Sequence, residues 1–556
     1  MIKKSVFILI MLFYAYSFSQ TSEADISTAS ASNELDKISA TENSTSTGIV
    51  RGPYIQKGTP TSVIIKWRTD KATESVVHYG RTLDLLSENV TQTDLKTEHE
   101  ITLTGLEPMT KYYFNIGDKN EVLSESLVGD MYVVTSPIAG TSQFVRAWII
   151  GDPGTANDNQ RKVRDAYYNY VEQDTVHEDK TDLLLFLGDN AYNTGTDLEY
   201  QNAFFNVYND IFKKVVSWSC LGNHDGESSD SKTQSGPYFD IFSFPTQGEA
   251  GGTASGTEAY YSFDYANIHF IILDSHHSSR EVGGSQYNWA ETDIQNTTQD
   301  WIVTLFHHPA YSKGSHDSDY EGRLIDMREN IMPMLEANGV DLVLNGHSHS
   351  YERSYFLNGH HGSSNTFNRD EINNGGHTVG NTGHGDGKAN GDGVYTKAID
   401  AAEGTVYITT GSAGQVSGGD LNHQAMFVSL NELGSCVMEI EDDGKGGQNL
   451  NLKFLRETGE IDDYFTINKT DILLEQNNKS TVQKNTKSIL IPVNDIINLK
   501  IKSNERLKKV EFYNNVGNMV KKSKKERINV SGLAKGIYVI KIKTNKETVY
   551  KSVVIE

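Results

Sequence analysis

At 556 residues the chain exceeds what one hydrophobic core can organise, and about two to four domains are expected. Hydrophobic residues at 37% and aromatic residues at 10% are enough for globular cores, and no internal apolar run reaches the length of a membrane span. The formal net charge of −23 argues against a general nucleic-acid binder and suits a protein that stays soluble outside the cell.

The first residues carry Lys3 and Lys4, an apolar run over 6–18 and the small-x-small signal Ser17-Phe18-Ser19, so 1–20 reads as an export signal peptide. That run is short for a permanent membrane anchor. Residues 21–48 are rich in Ser, Thr, Ala, Asn and acids and read as a disordered spacer. From 49 to 136 short alternating strands surround Trp67 and a corner made of Leu106, Pro108, Thr110 and Tyr112, which predicts an all-β sandwich of immunoglobulin or fibronectin type. Between 142 and 470 apolar strands alternate with helical patterns over 158–173 and 320–338 and with a hairpin-like pair at 260–265 and 268–273. That mixture predicts an α/β domain with mixed sheets. Residues 358–393 read as a long polar loop, with His360, His361, His377 and His384 as turn residues rather than a further metal site. A linker over 471–486 precedes a small Lys-rich all-β domain at 487–556, where Lys521, Lys522, Lys524 and Lys525 read as a solvated face. Of the two cysteines, Cys220 and Cys436, the first sits in a predicted core strand as a buried thiol, so disulfides do not define the fold.

Five apolar runs of the α/β region, at 145–150, 183–187, 215–221, 301–306 and 341–344, stop on residues that bind hard metal ions. They end at Gly151-Asp152, Gly188-Asp189-Asn190-Ala191-Tyr192, Gly222-Asn223-His224-Asp225, His307-His308-Pro309 and Gly346-His347-Ser348-His349. Each alone is an ordinary turn. Together they bring complementary donors to strand ends, where ligands of open α/β sheets collect. Two cations about 3.5–4 Å apart need an anion between them, and Asp189 is the candidate bridge. Oxygen donors from Asp152 and Tyr192 with one imidazole suit a trivalent ion, and Asn223 with two imidazoles suits a borderline divalent ion such as Zn²⁺, Mn²⁺ or Fe²⁺.

The run of Gly151-Asp152 with Gly154, Gly188-Asp189 with Tyr192, Gly222-Asn223-His224-Asp225, His307 with Pro309, and Gly346-His347 with His349, Tyr351, Glu352 and Arg353 resembles the purple acid phosphatases, a branch of the calcineurin-like metallophosphoesterases. The resemblance implies a four-layer αββα sandwich with mixed sheets, preceded by a fibronectin-like sandwich. It implies Fe³⁺ held by Asp152, Asp189, Tyr192 and His349, and a divalent ion held by Asn223, His307 and His347, with Asp189 shared. His224 and His316 match positions that contact phosphate, His224 also protonating the leaving group, and His308 has no assigned role. Asp225 stands where the family usually has Glu, and the run Ser219-Cys220-Leu221-Gly222 stands where it usually has Pro-x-Gly.

The last domain, with Ile491-Pro492-Val493, Val510-Glu511-Phe512-Tyr513 and Gly536-Ile537-Tyr538, resembles the C-terminal sorting domain of the type IX secretion system. That resemblance implies the secretion machinery as a partner, and export through the periplasm of a Bacteroidetes-type bacterium to the medium or cell surface. The expected function is hydrolysis of small phosphate monoesters by hydroxide generated at the metal pair. A phosphodiesterase or nucleotidase on the same site, and a catalytically dead secreted binding protein, are the alternatives. Neither nucleic acid as a stable partner nor a transmembrane span in the mature chain is expected.

Overall fold

The computed structural model describes residues 47–470, apart from 125–128, 178–179, 381, 399–400 and 445–446, together with 492–493, 496–498, 506–514, 519–525, 527–545 and 548–555. The expected signal peptide, the spacer up to residue 46 and the linker at 471–486 lie outside the described residues.

The first region is all β. Its organiser is the long strand Ser62–Gly80, which pairs with Ile49–Gln56 through its first half, with Lys111–Gly117 through its second, and with Glu88–Thr104 along most of its length. Val63, Ile65, Trp67, Val77, Ile101, Leu103, Phe114 and Ile116 alternate inward and are buried, as a pleated strand with one covered face requires. The Tyr112 hydroxyl accepts the Glu107 amide at 3.0 Å, fixing the corner that the sequence marked.

Two seven-stranded mixed sheets form the centre. One runs Tyr395–Ala398, Ile461–Thr470, Gln448–Arg456, Gly434–Asp442, Val145–Ile150, Leu183–Phe186, Ser217–Ser219, and the last three are parallel. The other runs Tyr261–Tyr265, Ile268–Ile272, Trp301–Leu305, Leu342–Asn345, Val406–Thr410, Tyr351–Ser354, Met426–Leu430, parallel from the second to the fifth. The sheets face one another across aromatic pairs: Trp218 stacks on Phe263 at 3.8 Å and Tyr351 on Phe454 at 4.1 Å. Alternation decides the layers. Phe270, Ile272, Val303, Leu305, Leu342, Leu344, Val406 and Ile408 fill the space between the sheets. Ile271, Val343 and Tyr407 point the other way, against Trp289, Ile294, Met327, Met332 and Leu335 of the covering helices. On the opposite side Trp148 stacks on Tyr167 of the helix Asp158–Glu172 at 4.1 Å. Helix, sheet, sheet, helix is the resulting order.

Two expected spans differ in detail. The strand read at 215–221 is Ser217–Ser219, because the chain leaves the sheet at Cys220 to deliver the metal-type turn. The helix read at 320–338 is Gly322–Asp326, a wide π turn Met327–Ile331, then Met332–Ala337. Pro333 has no amide hydrogen for the carbonyl four residues back, and the wide turn precedes it. Cys220 and Cys436 are both free and buried. The C-terminal strands form a five-stranded and a two-stranded sheet over Val510, Phe512, Ile528, Val530, Tyr538 and Ile540. Among the described residues no helix is long and apolar enough to cross a membrane.

Candidate metal centre

The strand ends of both sheets open onto one edge. Asp152, Asp189 and His347, the first polar residues past three of them, adopt φ of 55°, 52° and 67°. Non-glycine residues in the left-handed region cost about 1–3 kcal/mol each and gather at functional sites. The sharp turn aims each side chain back across the strand ends. Gly222 leaves room for it: a Cβ there would stand 2.2 Å from Asp189 Oδ1 and 2.1 Å from its amide nitrogen.

One half of the site is oxygen-rich. The Tyr192 hydroxyl lies 3.2 Å from Asp152 Oδ1, 3.2 Å from Asp189 Oδ2 and 3.1 Å from His349 Nε2. Burial first, then the Asp152 and Asp189 carboxylates, push this phenol well above its ordinary value. It is therefore neutral in the metal-free chain, and only a strong Lewis acid among these carboxylates would hold it as phenolate. Asp152 Oδ2 accepts the His347 amide at 2.7 Å, and Asp189 Oδ1 accepts the His224 amide at 2.9 Å, so each carboxylate keeps one oxygen toward the centre.

The other half is nitrogen-rich. His307 Nδ1 donates to the Leu187 carbonyl at 2.8 Å, which leaves a lone pair on Nε2. That lone pair faces Asn223 Oδ1 at 3.0 Å and Asp189 Oδ2 at 3.4 Å. Three acceptors converge with no donor among them, an arrangement that calls for a cation. Although burial lowers the His307 value, Asp189 and Asp152 push it up to about 9, so this pocket favours positive charge. The donor set fits a pair of metal ions, one at each half, with Asp189 between them. Asp152, Asp189 and His307 form one compact ligand cluster, and His307, His308 and His347 another.

The two phosphate-type histidines flank this set. His224 Nδ1 donates to the Asn193 carbonyl, and its ring lies 4.6 Å from that of Tyr192. His316 stacks on His347 at 3.7 Å and bonds Glu321 through Nδ1 at 2.9 Å. All nine residues singled out in the sequence thus occupy one neighbourhood. Asp225 turns away from it, accepting Tyr200 Oη at 2.6 Å, Gly222 N at 3.0 Å and Asn190 Nδ2 at 3.0 Å. Burial, then Asp189, pushes this carboxyl up to about 6. Sequence reasoning missed Glu321, whose Oε2 also lies 3.5 Å from His347 Nε2. An acid five residues after His316 was the available signal. His308 fills the space beside His307 and His347, with its Nδ1 on Ser275 Oγ at 2.9 Å. His360, His361 and His377 join none of the ligand clusters found among the described residues.

Residues 145–351 match the model of the calcineurin-like phosphoesterases, 53–128 that of the purple acid phosphatase N-terminal domain, and 491–556 that of the secretion system C-terminal sorting domain. Purple acid phosphatase 15 of Arabidopsis thaliana is 26% identical over 282 residues, covering 46% of this chain and 49% of its own length. Purple acid phosphatase 1 of Ipomoea batatas is 27% identical over 333 residues, covering 55% and 63%. The chain thus spans about half to just under two-thirds of the length of these relatives. A purple acid phosphatase from yellow lupin (Lupinus luteus) seeds shares the fold, with a TM-score of 0.53 at 18% identity, covering 76% of each chain.

Proposed function

From a chain that carries a purple acid phosphatase N-terminal domain, a calcineurin-like phosphoesterase domain and a secretion sorting domain, we propose a secreted, metal-dependent hydrolase of phosphate monoesters. The observation that carries the reading is the convergence of His307 Nε2, Asn223 Oδ1 and Asp189 Oδ2 beside the Tyr192–Asp152–His349 group. Asp152, Asp189, Tyr192 and His349 would hold Fe³⁺, and Asn223, His307, His347 and the shared Asp189 would hold a divalent ion, Zn²⁺, Mn²⁺ or Fe²⁺. When bound, such a pair supplies Lewis acidity and a water-derived nucleophile.

The chain's own groups do the rest. His224 is fixed by its amide on Asp189 and its Nδ1 on Asn193, which leaves Nε2 to protonate the departing oxygen. His316, anchored by Glu321 through Nδ1, would offer its other nitrogen to the phosphate oxygens. Buried carboxylates and imidazoles fixed by backbone amides and carbonyls need little reorganisation as charge develops. The sorting domain supports export to the medium or cell surface.

Rates on p-nitrophenyl phosphate and bis-p-nitrophenyl phosphate, with wild type and Asn223→Ala, test this. Faster monoester hydrolysis, lost in the variant, is expected. Faster diester hydrolysis would make the site a phosphodiesterase, and no hydrolysis of either by the metal-loaded chain would refute the reading.

A further inference from the structure

The strap that follows Tyr192 contributes nothing to the ligand set, yet it meets His224 at two points. The Asn193 carbonyl accepts from His224 Nδ1 at 2.5 Å. Two residues on, Gly195 (φ +64°) lies so close to the next turn that a Cβ would stand 2.7 Å from the His224 carbonyl oxygen and from Asp225 Cα. A carbonyl only accepts, so Nδ1 carries hydrogen and Nε2 is the nitrogen free to exchange a proton.

One carboxylate holds the strap. Glu199 Oε1 accepts the Asn193 amide at 2.6 Å. Its Oε2 accepts the Thr194 amide at 3.2 Å, the Thr194 hydroxyl at 3.1 Å, the Thr196 amide at 2.9 Å and the Thr196 hydroxyl at 2.8 Å. The Thr194 N–H and the Asn193 C=O belong to a single planar peptide group and point in opposite directions. Drawing the N–H toward Glu199 therefore turns the carbonyl toward His224. Glu199 also closes a capping box, its amide donating to Thr196 Oγ1 at 3.3 Å.

A second anchor comes from the N-terminal β region. Arg68 grips Asp197 with two nitrogens at 2.6 and 2.8 Å. Arg51, buried over the Phe205 ring, reaches Asp197 Oδ1 at 3.0 Å and Gln201 Oε1 at 2.8 Å. Paired planar donors of this kind fix orientation as well as charge.

We propose that Glu199 is a positioning residue that orients His224 through the Asn193–Thr194 peptide, and that Arg51 and Arg68 hold the same strap through Asp197. The inference rests on His224 as the donor of the leaving-group proton. In that step the ester P–O bond breaks with its electron pair on the leaving oxygen, which takes the proton from Nε2. The water that attacks phosphorus returns a proton to the imidazole, and alcohol and phosphate are the products.

The leaving group separates positioning from mere structure. p-Nitrophenolate is a weak base and departs unaided, whereas an alkoxide needs the proton. In the full-length, metal-reconstituted chain, Glu199→Gln is expected to lower kcat about tenfold or more for glycerol 2-phosphate and less than about threefold for p-nitrophenyl phosphate, with phenyl phosphate between. Arg68→Met is expected to repeat the pattern at smaller amplitude. A second readout needs no catalysis: nitrogen-15 NMR of the metal-free chain should show a protected His224 Nδ1–H, assigned by its loss in His224→Asn and exposed to exchange in Glu199→Gln. An equal loss of kcat along the substrate series, or an Nδ1–H signal indifferent to Glu199→Gln, would overturn the proposal. A wild-type chain that cleaves no phosphate ester would instead sink the functional reading, and the NMR signal would still decide the positioning. Should Glu199→Gln not fold, Thr196→Val, which deletes one of the five donors, serves for both readouts.

Discussion

Just past the turn that carries His347 and His349, on the strand Tyr351–Ser354, begins a buried ion pair whose removal has a calculable cost. Arg353, two residues beyond Tyr351, donates to Asp463 through Nε at 2.5 Å and Nη2 at 3.0 Å. Both side chains are at most 1% exposed. Asp463 also accepts the Tyr351 hydroxyl at 2.9 Å, so one carboxylate ties the two sheets at the base of the site. Asp463→Asn keeps the volume and removes the charge, leaving a guanidinium in the core with Lys388 Nζ also facing the lost charge at 3.3 Å. Breaking a buried pair from one side costs about 3–5 kcal/mol. For a domain of roughly 330 residues that corresponds to a fall in Tm of about 4–7 °C. The double variant Arg353→Met, Asp463→Leu removes the stranded charge and should recover most of that loss. Urea unfolding followed by tryptophan fluorescence measures all three, since Trp148 and Trp218 lie in the same sheet as Asp463. A single variant within about 1 kcal/mol of wild type, or a double variant less stable than the single, would show that the pair does not hold the sheets together.

Other consequences are as direct. His269 sits between Asp264 at 2.7 Å and Asp293 at 2.9 Å; burial lowers its pKa, but these carboxylates push it up to about 9. A value raised above the unfolded one, about 6.5, gives stability that is complete below pH about 6.5 and lost as pH rises through about 9. Denaturation across that window should show a loss that His269→Gln reduces by about 3 kcal/mol; the same slope in the variant would discount the pair. Gly222→Ala would drive its methyl into Asp189, so metal retention after dialysis should fall along with about 1–3 kcal/mol of stability. A crystal structure of that variant with Asp189 unmoved would contradict this. Glu321→Gln should weaken binding of inorganic phosphate about tenfold, measured by competitive inhibition, because His316 and His347 lose their shared carboxylate. Unaltered inhibition would show that Glu321 only fills space.

What the sequence made legible is the part encoded locally. Asp152, Asp189, Tyr192, Asn223, His307, His347 and His349 each stand at a fixed step past an apolar run, and the end of a strand is where a sheet delivers side chains to a common edge. The layers followed from alternation, since Ile271 and Ile272 must face opposite sides. Long-range pairing left no such mark. Asp463 lies 110 residues from Arg353, and nothing around either names the other. Glu199 drew no notice in the sequence, and only the fold brings the Asn193 peptide between it and His224. The break of the helix at Met327–Ile331 was written in Pro333, a residue that a tally of apolar spacing passes over.

Under the proposed function Asp189 would stand between two unlike cations, one of them ferric and held by the Tyr192 oxygen. Elemental analysis joined to a visible spectrum of the purified chain tests it in one sample. About two tightly held metal ions per chain, iron among them, are expected, with an absorption band that Tyr192→Phe abolishes. A chain that retains no metal, or a band unchanged in Tyr192→Phe, would contradict it.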